Sequence, residues 1–167
     1  MMPVTREVAA DFDGPSISCP SCSTRIAISP PTGWSIGSPH DVYTHLGVEM
    51  AALEREELRV LILNTKNVVL RVVTVYAGNV SSSLVRVGEL FREAVRENAT
   101  GVVLVHNHPS GDSTPSPDDL HLTAEALAAG RLLDIDLLDH VVIASGGYTS
   151  LRDRGVSFDR ANRAVPA

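Results

Sequence analysis

Gly101-Val102-Val103-Leu104-Val105-His106-Asn107-His108-Pro109-Ser110-Gly111-Asp112-Ser113-Thr114-Pro115-Ser116-Pro117-Asp118-Asp119-Leu120 is the stretch from which the rest of the chain is read. Its four consecutive apolar residues, Val102 to Val105, have the length and β-branched character of a buried strand. The strand runs into His106-Asn107-His108. Side chains alternate along a strand, so residues two apart face the same way, and both imidazoles point to one side. A loop rich in Pro, Ser, Gly and Asp follows. Ser116-Pro117-Asp118-Asp119 then has the marks of a helix start: a capping serine, proline at the first helical position and acids in the first turn. If the helix folds back against the strand, Asp119 arrives at the two histidines. Two imidazoles and one carboxylate are the three-ligand set of a catalytic zinc, which keeps its fourth position for water. Zinc lowers the pKa of such a water to about 7. A proline-rich turn before a capped helix accounts for the loop and the cap. It leaves unexplained two histidines at strand spacing just ahead of a capped acid.

Outward from this stretch, the composition narrows the class. The chain has 167 residues, 44% of them hydrophobic, which suits one globular domain with a moderate tail. No apolar run approaches the roughly 20 residues of a membrane span. The N-terminus lacks the basic, apolar and small-residue order of a signal peptide, so a cytoplasmic protein is expected. A formal net charge of −6 argues against a nucleic-acid footprint. Arg152, Arg154, Arg160 and Arg163 gather near the end and are read as a solvated tail.

Residues 1–37 are rich in Pro, Gly and Ser and read as an irregular segment. They contain the only cysteines, Cys19 and Cys22, a lone Cys-x-x-Cys like one knuckle of a zinc ribbon. A structural zinc needs four ligands and there is no second knuckle, so no bound metal is expected here within one chain. A redox pair and a site shared between two chains are the alternatives. Ser38-Pro39 opens a helix through about Arg55, with Val42, Leu46, Met50 and Leu53 on one face. Leu58–Leu63 and Val68–Tyr76 read as a hairpin turning at Asn64-Thr65-Lys66-Asn67, its apolar continuity implying burial on both faces. A helix is expected from Val85 or Arg86 to Asn98 with Leu90, Phe91, Ala94 and Val95 inward. Another is expected from Pro117 to Leu132 with Leu120, Ala124 and Leu127 on one side. Asp139–Ala144, a turn at Ser145-Gly146-Gly147, and Tyr148–Leu151 close the pattern. Interleaved helices and hairpins point to an α/β fold, a mixed sheet covered by helices.

His106-x-His108, seven residues, Ser116, two residues, Asp119 resembles the JAMM (MPN-plus) metalloprotease motif. The wider His-Asn-His-Pro-Ser-Gly-Asp-x-x-Pro-Ser run resembles its bacterial RadC branch. The likeness extends from about Ser38 to Phe158, taking in Leu63-Asn64-Thr65-Lys66-Asn67, Leu138-Asp139-His140 and Ser150-Leu151-Arg152-Asp153-Arg154-Gly155. It implies a three-layer JAB/MPN (cytidine-deaminase-like) domain over residues 38–158, with residues 159–167 as a flexible tail. It implies Zn(2+) held by His106, His108 and Asp119, and hydrolysis of a peptide or isopeptide bond, as in a ubiquitin-like conjugate, by metal-activated water. Aligned on the hairpin turn, the family's general base falls on Glu56, with the adjacent Glu57 as the alternative. A one-residue shift turns a strand side chain to the other face, so only one of the two can serve. Ser116, besides capping its helix, is implied to steady an oxyanion. His140 is either a partner that orients a ligand or a structural hydrogen-bonded histidine.

The family's usual Pro-Arg before the position of Glu89 is Val87-Gly88 here. RadC relatives often carry a helix-hairpin-helix module ahead of this domain, and this sequence shows no such pattern. The competing reading is a non-catalytic RadC-like metal-binding module associated with DNA repair or recombination. Zinc nucleobase deaminases fit poorly, because their ligand sets draw on cysteine beside a His-x-Glu element.

Overall fold

The computed structural model describes residues 32–78 and 85–158, and the backbone of two short strands nearer the N-terminus. Those strands, β1 (Ser16–Ser18) and β2 (Arg25–Ala27), pair antiparallel with Ile17 opposite Ile26. They belong to a first compact unit, Met1–Pro30, and the remainder forms a second, Pro31–Ala167. Cys19 and Cys22 lie outside the described residues, as do residues 79–84 and 159–167.

The second unit is built on a five-stranded sheet in the order β4-β3-β5-β6-β7. Its strands are β3 (Glu57–Leu63), β4 (Val69–Ala77), β5 (Gly101–Asn107), β6 (Asp136–Ala144) and β7 (Gly147–Ser150). β5 and β6 are parallel, joined through helix α3 (Pro117–Leu133), and every other neighbouring pair is antiparallel. Alternation along the strands sorts the core into two layers. Leu58, Val60, Ile62, Val102, Leu104 and Val142 meet Leu90, Phe91 and Ala94 of α2 (Val87–Arg96) and Leu122 and Ala126 of α3. Leu61, Leu63, Val103, Val105, Val141 and Ile143 meet Val42, Leu46 and Met50 of α1 (Pro39–Ala51). Each such side chain, fully buried, contributes roughly 1.5–3 kcal/mol. The result is the three-layer, mixed-sheet α/β architecture expected of a JAB/MPN domain.

Several boundaries and faces differ from the sequence reading. α1 ends at Ala51 rather than near Arg55, which frees residues 52–56 as an irregular segment leading into β3. Residues 33–36, read as part of the irregular N-terminal segment, bond along the start of β4: the Gly33 amide donates to the Val69 carbonyl at 2.8 Å and the Ile36 amide to the Asn67 carbonyl at 2.9 Å. β4 is not buried on both faces; it is the sheet's edge strand, with Leu70 and Thr74 exposed. Val95, expected inward, is 52% exposed because it lies off the stripe formed by Leu90, Phe91 and Ala94. The inward stripe of α3 is Asp119, Leu122, Thr123, Ala126 and Gly130; of the residues expected there, Leu127 packs partly buried against the core, whereas Leu120 and Ala124 are exposed. Gly130 is required there: a Cβ would stand 2.5 Å from the Ile135 carbonyl oxygen.

Candidate metal centre

The end of β5 projects His106, and the residue just beyond the strand His108, onto the α3 side of the sheet, where the parity of Val102 and Leu104 already points. The loop that follows is shaped by its own polar groups. The Thr114 amide donates to Asp112 Oδ1 at 2.8 Å, and Gly111 takes a φ of +89°, a left-handed conformation that suits glycine. At the head of α3, Ser116 caps the helix with the Asp119 amide donating to its Oγ at 3.2 Å. Asp119 Oδ2 in return accepts from the Ser116 amide at 2.6 Å and from the Ser116 hydroxyl at 2.7 Å. The capping box thus aims the carboxylate into the protein, 3.2 Å from His106 Nε2 and 3.5 Å from His108 Nε2. The sequence-predicted ligands His106, His108 and Asp119 come together, each offering an atom within 4.8 Å of the others.

The hydrogen bonds around this trio determine which nitrogens carry lone pairs. Thr123 Oγ1 lies 2.6 Å from the Asp119 carbonyl, which can only accept, so the hydroxyl proton is committed there. Thr123 Oγ1 is also 2.7 Å from His140 Nδ1, and so that nitrogen is the donor. His140 Nε2 is therefore bare and accepts from His106 Nδ1 at 2.8 Å. That leaves His106 Nε2 with its lone pair. His108 Nδ1 lies 2.8 Å from the Asp112 carbonyl and donates to it, so in the neutral ring His108 Nε2 keeps its lone pair as well. The two Nε2 atoms face each other at 2.9 Å beside a carboxylate. Two lone pairs and an anion turned on one point call for a cation between them. Two imidazole nitrogens and a carboxylate oxygen suit zinc among divalent metals.

Electrostatics follow the same pattern. Burial works against the ionised form of Asp119, but the imidazoles of His106 and His108 and the Ser116 amide outweigh it and hold the carboxyl well below the usual range. His108 is raised by its contact with Asp119, against the opposing effect of burial, with help from the Asp112 carbonyl and the charge of Glu56. A proton and a metal ion compete for its lone pair. His140 is fully buried, and burial together with the nearby His106 pushes it down to about 3, so it stays neutral and keeps its place in the relay. Asp139 secures the backbone there, its Oδ1 accepting from the His140 amide at 2.7 Å and its Oδ2 from the Ser150 hydroxyl at 2.6 Å.

The two candidate bases separate cleanly. Glu57 turns to the α1 side, where its carboxylate meets the buried Arg59 at 2.9 Å. Glu56 precedes β3, and its charge is felt at His108 on the other side of the sheet. Ser116 sits at the site, and its hydroxyl proton is directed to Asp119. His121 is exposed beside Glu125, and Glu89 is exposed beside Arg86. His45 lies on the surface, stacked on Trp34 at 4.1 Å. Reading the sequence alone misses Thr123 and Asn107. Thr123 carries a usable signal, standing one helical turn after Asp119 and so necessarily on the face that holds the ligand.

Residues 36–156 match the RadC-like JAB domain, and the chain belongs to that family. It is 51% identical over 126 residues to a UPF0758 protein of Chloroflexus aggregans, a span of 75% of this chain and 55% of the relative. A UPF0758 protein of Roseiflexus castenholzii is 50% identical over 125 residues, covering 75% and 54%. One from Clostridium botulinum is 41% identical over 122 residues, covering 73% and 54%. The chain thus spans about half the length of the curated relatives it matches. Among the described residues no helix is long and apolar enough to cross a membrane.

Proposed function

We propose that this domain is a zinc-dependent metallopeptidase that hydrolyses a peptide or isopeptide bond. The observation that carries the reading is the convergence of His106 Nε2 and His108 Nε2, 2.9 Å apart, beside the Asp119 carboxylate. His106, His108 and Asp119 hold the metal. When bound, zinc supplies Lewis acidity, polarising the scissile carbonyl and lowering the pKa of a water to about 7. Glu56 accepts a proton from the attacking water as the new C–O bond forms, and delivers it to the nitrogen as the C–N bond breaks. Ser116 orients Asp119 at rest, and its hydroxyl turns to the oxyanion while substrate is bound. Thr123 and His140 keep His106 in the tautomer that presents Nε2.

The test pairs metal content with hydrolysis of peptide and isopeptide-linked substrates. Wild type is expected to bind one zinc per chain and turn over. His106→Ala loses both, whereas Glu56→Gln keeps the metal and loses turnover by about 10²–10⁴-fold. Zinc bound without turnover of any such substrate would assign a non-catalytic metal-binding module instead. Failure to bind zinc would overturn both readings.

A further inference from the structure

We propose that Asn107, the residue between the two histidines, is a positioning residue that fixes Glu56 relative to the metal ligands. The inference rests on the reading of Glu56 as the proton carrier. Strand alternation turns Asn107 away from His106 and His108, onto the α1 side of the sheet, where it is 1% exposed. Its amide makes two bonds of opposite polarity. The Glu57 amide donates to Asn107 Oδ1 at 2.7 Å, and Asn107 Nδ2 donates to the Arg55 carbonyl at 3.1 Å. The residues so held are the immediate neighbours of Glu56 on either side. Glu56 contributes a third point, its own carbonyl accepting from the Gly78 amide at 2.8 Å.

The segment needs such support. Residues 52–56 belong to neither α1 nor β3, and an irregular stretch with few backbone bonds is ordinarily among the first to open. Beside Asn107, Arg59 is also 1% exposed, and its guanidinium bonds Glu57 Oε2 through Nε at 3.1 Å and Nη2 at 2.9 Å, and Glu49 Oε1 through Nη2 at 2.8 Å. This ties the end of α1 to the start of β3 and draws the neighbouring glutamate, Glu57, to the face away from the metal site. Burying an amide and a guanidinium is costly compared with aliphatic packing. The cost shows at Arg59 Nη1, which is buried with no hydrogen-bond partner. What the polar pair adds is a defined course for the backbone through Glu56. Three consecutive residues at the end of β5 and just beyond it therefore set both halves of the site: His106 and His108 hold the metal, and Asn107 sets where the base stands.

The test uses cobalt(II) as the probe and needs no substrate. The visible spectrum of the cobalt-loaded protein is followed against pH in wild type, Glu56→Gln, Asn107→Ala and the double variant. Glu56→Gln is expected to displace the spectral transition by about one pH unit or more. Asn107→Ala is expected to bind cobalt with unchanged affinity and to displace the transition in the same direction. The double variant should then titrate like Glu56→Gln alone, because the clamp acts only through Glu56. Val105→Ala, a core change on the same strand and face, should leave the transition in place. Should Asn107→Ala fail to fold, Asn107→Asp, which keeps the acceptor for the Glu57 amide and loses the donor to Arg55, carries the test. A displaced transition in Glu56→Gln with a wild-type transition in the Asn107 variant overturns the clamp and leaves the proposed function standing. An unmoved transition in Glu56→Gln overturns the reading of Glu56 and the clamp with it.

Discussion

The same four-residue pattern opens two helices of this domain, and only one of them sets its aspartate among histidines that could hold a metal with it. Ser38-Pro39-His40-Asp41 begins α1 and Ser116-Pro117-Asp118-Asp119 begins α3. In both, the aspartate three residues after the serine accepts from the serine's amide, at 2.8 Å in α1 and 2.6 Å in α3, and from its hydroxyl, at 3.1 Å and 2.7 Å. Both carboxyls are held below the ordinary range, Asp41 by the Gly37 and Ser38 amides and Asp119 by two imidazoles against the opposing effect of burial. The local chemistry of a helix start is therefore nearly indifferent to function. The difference lies in the neighbour. α3 begins beside the end of β5, and Asp119 finds two histidines whose donors are committed elsewhere. α1 begins at the surface, and Asp41 caps its own helix and nothing more. A capping carboxylate becomes a ligand by what it is set against.

The largest expected effect breaks this comparison most directly. Zinc at 100 times its dissociation constant should stabilise wild type by about 2.7 kcal/mol, read as a rise in thermal midpoint. Asp119→Asn should abolish that rise. Asp41→Asn should keep all of it while lowering the midpoint of the metal-free protein. If Asp41→Asn lost the zinc response, or Asp119→Asn kept it, the two caps would not differ as described.

A smaller effect is expected one turn further along each helix. Thr123, four residues after Asp119, accepts a hydrogen bond from His140 Nδ1 and so fixes the tautomer of His106. Thr123→Val should lower zinc affinity by about 10–100-fold, the usual cost of losing a partner that orients a ligand, and Thr123→Ser should restore it. His45, four residues after Asp41, is stacked on Trp34, and His45→Ala should leave zinc affinity unchanged. Competition with a chromophoric chelator measures all three. Equal affinities in Thr123→Val and wild type would reduce the relay to packing.

These two helix starts also show what was legible beforehand. Spacing alone singled out His106, His108 and Asp119, because strand alternation and a capping box are local rules that need no tertiary knowledge. The layers were legible from the unbroken apolar runs of β3 and β5, which imply burial on both faces. The inward face of α3 was not. A reader looks for leucines and chooses Leu120 and Ala124 along with Leu127, yet only Leu127 of these touches the core, and the helix turns Asp119, Thr123 and Gly130 inward with Leu122 and Ala126. The site overrides the apolar stripe, because a ligand must face the strand end and its supporting threonine must follow. The end of α1 was hidden for a similar reason. Glu54-Arg55-Glu56-Glu57 has good helix propensity, but Arg55 and Glu57 are bonded by a side chain from β5, fifty residues away in sequence for Glu57. No local rule anticipates that.

The smallest effect on folding and zinc binding separates two duties of one hydroxyl. Removing a capping hydroxyl typically costs about 1 kcal/mol, and Ser116→Ala should show that cost in denaturant unfolding without metal. Ser38→Ala should cost less, since Asp41 keeps the Gly37 and Ser38 amides and its own amide bonds the Ser38 carbonyl at 3.1 Å. Ser116→Ala should also weaken zinc binding a few-fold, well short of the Thr123→Val loss, because Asp119 Oδ2 keeps the Ser116 amide as donor. Turnover then decides whether the hydroxyl does more than aim the carboxylate. A hydroxyl that also meets the oxyanion should cost about 10²–10³-fold in kcat at saturating zinc when it is removed. A kcat unchanged at saturating zinc would make Ser116 the functional equal of Ser38, a cap whose only distinction is the residue it holds.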